Sequence, residues 1–105
     1  MPGFILKGTH GSWLTIKYTE HAIFRMKVRR VSKKMVVSAI RTPESRYQDL
    51  ESGATVVVKR FAQRYLVVFF STKADDDWVV TMYHASDVSS LISRKLRRGA
   101  WVEKK

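Results

Sequence analysis

The chain has 105 residues, 45% of them hydrophobic and 28% charged, with 20 Lys and Arg against 9 Asp and Glu and a formal charge of +11. That size and balance predict one packed domain spanning 1–105 rather than a disordered tail. Cysteine is absent, which excludes disulfides, thiolate metal sites and a cysteine nucleophile.

Residues 1–11, with Gly3, Gly8 and Gly11, read as a loose N-terminal segment. The stretch 12–18 is β-rich and partly alternating, a first strand. Thr19 then caps a helix whose apolar stripe is Ala22, Ile23 and Met26, and His21, Arg25 and Arg29 follow at i, i+4, i+8 as one polar ridge beside it. Ser32 caps a second helix that buries Met35, Val36, Ala39 and Ile40 until Thr42-Pro43 stops it. After Pro43 the period falls to two, giving strands at about 46–50, 55–61, 65–71 and 78–83 with turns at Ser52-Gly53, Ala62-Gln63 and 73–77. Short connections predict an antiparallel meander. The run 66–70 is apolar at every position, as in a central strand covered on both faces, and the helices are expected on one of those faces. A basic C-terminal helix and tail occupy 86–105; the helix starts near Ser86-Asp87, buries Val88, Leu91, Ile92 and Leu96, and ends at Gly99. The fold class is α+β: a small antiparallel sheet of about four to five strands packed with two N-terminal helices and a C-terminal helix.

No apolar run approaches the ~20 residues of a membrane helix, so no membrane partner is expected. Phe4, Ile5 and Leu6 stop at Lys7, too short for a signal-peptide core, which makes a cytoplasmic address the expectation. Asparagine is also missing, a compositional lean toward thermophile proteins.

The charge is segregated. Residues 1–41 hold nine Lys and Arg against one Glu, 42–93 hold five against seven acids, and 94–105 hold six against one. Basic ends attract polyanions, because neutralised phosphates release counterions, so nucleic acid is the leading partner. A solvated surface or a face docking an acidic protein is the alternative.

His21 with Arg25 is the most pointed pair: the imidazole changes charge near neutral pH and the guanidinium grips phosphate. The same two side chains could instead pair with Glu20 or Asp87 in a structural role. Lys33 and Lys34 in the first turn of the second helix oppose its dipole, a misfit that a docked phosphate would relieve. Arg94, Arg97 and Arg98 close the last helix, where the dipole favours cations, so they fit a nucleic-acid or a purely structural role. Lys59, Arg60 and Arg64 flank one hairpin, and Tyr83-His84 ends a strand as acid, base, stacking platform or packing filler. Asp75, Asp76 and Asp77 lack the glycine and glutamate of a calcium loop and read as a solvated turn. His10, His21 and His84 lack metal-ligand spacing, and neither a phosphate loop nor a serine elbow is present, so no metal and no cofactor are expected.

The stretch from Tyr18 to Ser32, with His21-Ala22, Arg25-Met26 and Arg29-Arg30-Val31-Ser32, followed by Ala39-Ile40 and Pro43-Glu44, resembles the opening of a family of small uncharacterised prokaryotic domains. Tyr65 to Phe69 and Val79 to Tyr83 look like that family's paired strands. The family is similar to BrnT and, more distantly, to the RelE-type toxins. The resemblance implies a RelE-like α+β domain that cleaves RNA without metal and is held in check by an acidic antitoxin. His21 and Arg25 match its signature positions; Arg30 departs from it where members often carry glycine, and the basic helix after Tyr83 is an addition.

The chemistry so implied runs through a general base on the ribose 2′-OH, cations on the phosphoryl oxygens and an acid at the leaving 5′-oxygen. His21 is the base or acid, Arg25 with Lys59 or Arg60 the phosphate clamp, and Tyr83 or His84 the complementary proton donor. Arg29, Lys33, Lys34, Lys59, Arg60, Arg64, Arg94, Arg97 and Arg98 make up the expected nucleic-acid surface. A non-catalytic binder would use the same surface, and an interaction protein would present it to an acidic partner.

Overall fold

A computed structural model describes residues 15–104. The elements run β1 (Ile16–Tyr18), α1 (Glu20–Arg29), α2 (Lys33–Arg41), β2 (Ser45–Asp49), β3 (Thr55–Phe61), β4 (Arg64–Lys73), β5 (Asp76–Ala85), α3 (Val88–Arg97) and β6 (Trp101–Glu103). Six strands form one sheet in the order β1-β5-β4-β3-β2-β6. β2 to β5 are the antiparallel meander read from the sequence, with Val57 opposite Val68 and Val67 opposite Tyr83.

The caps lie where the side chains call for them. The Thr19 hydroxyl accepts from the Ala22 N–H at 3.0 Å, the Ser32 hydroxyl from Met35 at 3.1 Å, and Asp87 from Ser90 at 3.2 Å. Arg30 ends α1 in the left-handed region at φ 55°, and its N–H with that of Val31 closes the last turn onto Lys27 and Met26 carbonyls.

The sheet has a core on each face. α1 and α2 lay Ala22, Met26, Val36, Ala39 and Ile40 against Val57, Leu66, Val68, Phe70, Val79 and Met82. On the other face Val88, Leu91 and Ile92 of α3 cover Val56, Val58 and Val67 with Tyr47 and Trp101. Trp101 stacks on Tyr47 at 5.3 Å between ring centroids and meets Phe69 edge-on at 6.1 Å. Val79 and Met82 share one face although three apart, which a two-residue period forbids. The register slips between Phe69 and Phe70, and the extra residue, Val80, is bulged out to solvent.

Several sequence expectations are corrected. The sheet has six strands rather than four to five: β1 pairs parallel with β5, and β6, too short to carry a period, adds to β2. The two N-terminal helices share one face, as expected, and α3 covers the other. Ile23 is 46% exposed and Leu96 is at the surface, so neither belongs to the buried stripe assigned to it. Of the acidic run, Asp76 pairs with Lys17 at 3.1 Å, and Asp77 is buried in β5, accepting from the Thr72 hydroxyl at 2.7 Å and donating its N–H to the Thr15 carbonyl. The loose segment 1–11, the first part of the strand 12–18, and His10 lie outside the described residues.

Candidate nucleic-acid interface

α1 runs beside β5 in the sheet layer's flank that β1 leaves uncovered. β1 pairs only with Asp77 to Val79, so among the described residues 80–85 of β5 have no strand partner on that side. At 100° per residue, Ala22 and Met26 face the sheet while His21, Arg25 and Arg29 turn toward this open edge. Arg29 reaches it: its Nη1 donates to the Met82 carbonyl at 2.6 Å. Behind it, His84 Nε2 donates to the Arg29 carbonyl at 3.2 Å, satisfying one of the orphan acceptors of the helix end.

At the other end of the ridge His21 is exposed, and Arg25 Nε donates to its Nε2 at 3.2 Å. That bond needs a lone pair on Nε2, hence a neutral imidazole with its proton on Nδ1. Neither residue pairs with Glu20 or Asp87, the structural partners that the sequence offered. Among the described residues no carboxylate comes within ion-pair reach of Arg25, Arg29, Arg94 or Arg97. A run of guanidinium groups without counter-charge is where a phosphate chain lowers the energy most. Phe24 and Val28, 59% and 57% exposed, flank the ridge on its outer side. They were missed in the sequence because an aromatic and a valine on a helix read as core; their i, i+4 spacing on the same side of α1 as His21 was the available signal.

Tyr83 and His84 point to opposite faces of β5. His84 joins the α1 side; Tyr83 packs in the α3 core, 5.9 Å from Phe69 between ring centroids. Burial raises the Tyr83 pKa above the usual tyrosine value of 10.0; the Asp49 carboxylate adds to the rise, and Arg29 and Arg94 oppose it. The phenol therefore keeps its proton at neutral pH.

The register brings Lys59, Arg60, Arg64, Tyr65, Tyr83 and His84 to one end of the sheet. Lys59 and Arg60 nevertheless do not join His21 and Arg25, since β3 is separated from β5 by the whole of β4. Both have other partners. Lys59 Nζ donates to the Ser38 hydroxyl at 2.8 Å and the Thr42 hydroxyl at 2.5 Å, fastening the end of α2 to β3. Arg60 Nε donates to the Ala62 carbonyl at 3.0 Å and its N–H to Glu44 at 3.0 Å. Arg64 is exposed on the hairpin. Lys33 lies 5.2 Å from the Tyr18 ring centroid, and with Lys34 and Arg41 it borders a depression on α2, a cationic patch apart from the α1 ridge. Arg94, Arg97 and Arg98 are exposed on and after α3, on the opposite face from α1.

No three His, Asp or Glu side chains gather among the described residues where a metal ion could be held. No helix is long and apolar enough to cross a membrane.

Residues 18–84 match the family model described as Domain of unknown function (DUF4258). The match takes in His21, Arg25, Tyr83 and His84 and stops before α3 and β6. Comparisons with curated proteins and with solved structures find no match.

Proposed function

This chain belongs to the DUF4258 family, and from that premise we propose that it is an RNA-directed domain of the BrnT and RelE-like toxin kind, cleaving RNA without metal at the α1 ridge. The observation that carries the reading is the exposed His21 hydrogen-bonded to Arg25, with Arg29 next along the ridge and no carboxylate neutralising either arginine.

A phosphate entering the ridge attracts the Arg25 guanidinium, which binds a phosphoryl oxygen and releases the lone pair of His21 Nε2. The freed nitrogen takes the proton of the ribose 2′-OH, whose oxygen attacks the adjacent phosphorus as the P–O5′ bond breaks, leaving a 2′,3′-cyclic phosphate and a 5′-oxygen that takes its proton from water. Arg29 spends one of its five N–H donors on Met82 and offers the others to a neighbouring phosphate of the same strand. Phe24 supplies a ring face on which a base can stack.

A second reading, a binder without catalysis, is favoured by one observation. Tyr83 and His84, the expected proton donors, lie toward the far end of α1, and roughly 12 Å of helix separates Arg29 from His21. The test is incubation of single-stranded RNA with the protein in EDTA. Cleavage is expected, falling at least ~100-fold in His21→Ala with the circular dichroism spectrum unchanged. RNA binding without product, unaltered by His21→Ala, selects the binder. An acidic antitoxin that docks on the same ridge would inhibit cleavage and compete with RNA.

A further inference from the structure

α1 carries two parallel rows. His21, Arg25 and Arg29 form the cationic one, and Glu20, Phe24 and Val28, each one residue earlier, repeat the i, i+4, i+8 spacing on its solvent side. All three of the second row are exposed. Glu20 is the only acid in residues 1–41, against nine Lys and Arg. Among the described residues no lysine, arginine or hydroxyl pairs with its carboxylate. Its charge favours the dipole at the start of α1, but any first-turn position would do that. What is particular to Glu20 is its place one turn from the Phe24 ring, since side chains at i and i+4 are neighbours.

A nucleotide lying across the two rows puts its phosphate on the guanidinium side and its base on the Phe24 side. With the base stacked on Phe24, the edge that turns to Glu20 meets a carboxylate, two acceptor oxygens and no donor. Guanine alone among the four bases has two adjacent N–H donors on its Watson–Crick edge, N1–H and the 2-amino group, and they match the two oxygens as a pair. Adenine and cytosine each offer one amino group beside a ring-nitrogen acceptor, and uracil one N–H between two carbonyls, so each aims a lone pair at the carboxylate. A lone carboxylate beside a phosphate track repels the strand, and a base that donates to it twice reverses that repulsion.

Resting on the RNA-directed reading above, we infer that the α1 site selects guanine: the base stacks on Phe24 and donates N1–H and N2–H to the Glu20 carboxylate, while the strand's phosphates lie on Arg25 and Arg29. Glu20 is then the specificity-determining residue, and Val28 gives the neighbouring base an apolar surface.

The experiment uses the whole protein with 2′-O-methyl hexauridylates, which lack the attacking hydroxyl, one internal uridine being replaced by guanosine, adenosine, cytidine or inosine, and reads affinity by fluorescence anisotropy at low salt. The guanosine hexamer is expected to bind at least about tenfold more tightly than the all-uridine, adenosine and cytidine ones. Inosine, which keeps N1–H but lacks the 2-amino group, is expected to fall between. Glu20→Gln keeps the length and helix propensity of the side chain and replaces one acceptor by a donor. It is expected to bring guanosine within about twofold of adenosine, while all-uridine binding holds or rises. A merely structural Glu20 would shift every hexamer together. Equal binding of the guanosine, adenosine and all-uridine hexamers to the parent, or a guanosine preference that survives Glu20→Gln, overturns the selection; the α1 reading then still stands if Arg25→Ala with Arg29→Ala weakens every hexamer. If that pair of changes weakens none, the α1 reading fails and guanine selection with it.

Discussion

The flank of α1 and the corner where β3 meets α2 contain the same kinds of residue in opposite circumstances. At the corner, two of the three donors of Lys59 are taken by the Ser38 and Thr42 hydroxyls inside the protein. On the flank, Arg25 leans on an imidazole and Arg29 spends one N–H on a carbonyl, with no carboxylate within ion-pair reach among the described residues. A cation satisfied by neighbours stabilises the fold, whereas one with spare donors and no counter-charge stabilises a complex. The difference lies in what the fold places beside each residue, not in the residue.

The comparison breaks most sharply on RNA binding. Arg25→Ala with Arg29→Ala is expected to weaken a single strand roughly tenfold or more at low salt, and Lys59→Met to leave it unchanged, as read by fluorescence anisotropy across a salt series. Equal losses would erase the distinction. On stability the order reverses: Lys59→Met removes the two hydrogen bonds that fasten β3 to the end of α2 and should cost about 1 kcal/mol in urea unfolding.

Arg30 sharpens the contrast from within α1. Its left-handed φ of 55° is strained for any residue with a Cβ, and glycine is the residue that relieves it. Arg30→Gly should raise stability by up to about 1 kcal/mol, seen as a higher urea midpoint at constant m-value, without changing RNA affinity.

The smallest effect concerns Tyr83. Its folded pKa lies above the unfolded value near 10.0, so its contribution is complete below pH 10 and is lost as pH rises through the raised folded value. Tyr83→Phe should therefore show a shallower fall in thermal stability than the parent above pH 10, and an identical slope for the two proteins there would remove the burial argument.

The meander, the caps and the fully apolar β4 were legible because period, turn residues and capping side chains are local signals. β6 was not: three residues carry no period, and Trp101 is buried only because Tyr47 and Phe69 arrive from elsewhere in the chain. The parallel β1 depended on a partner some sixty positions away, with Ile16 opposite Asp77. For the site, the spacing of His21, Arg25 and Arg29 predicted their shared ridge. That Lys59 would be taken up by α2, and that Tyr83 and His84 would part to opposite faces, followed from register and layer order, which composition does not encode.

Among the described residues, half of β5 has an unfinished rim, the usual template for a second molecule to add a strand. The Val80 bulge spoils the spacing such an addition would need, and Arg29 occupies the Met82 carbonyl that it would seek. The arginine that offers phosphate its remaining donors thus also guards the molecule against self-association, and a ligand drawing it off the carbonyl would lift that guard.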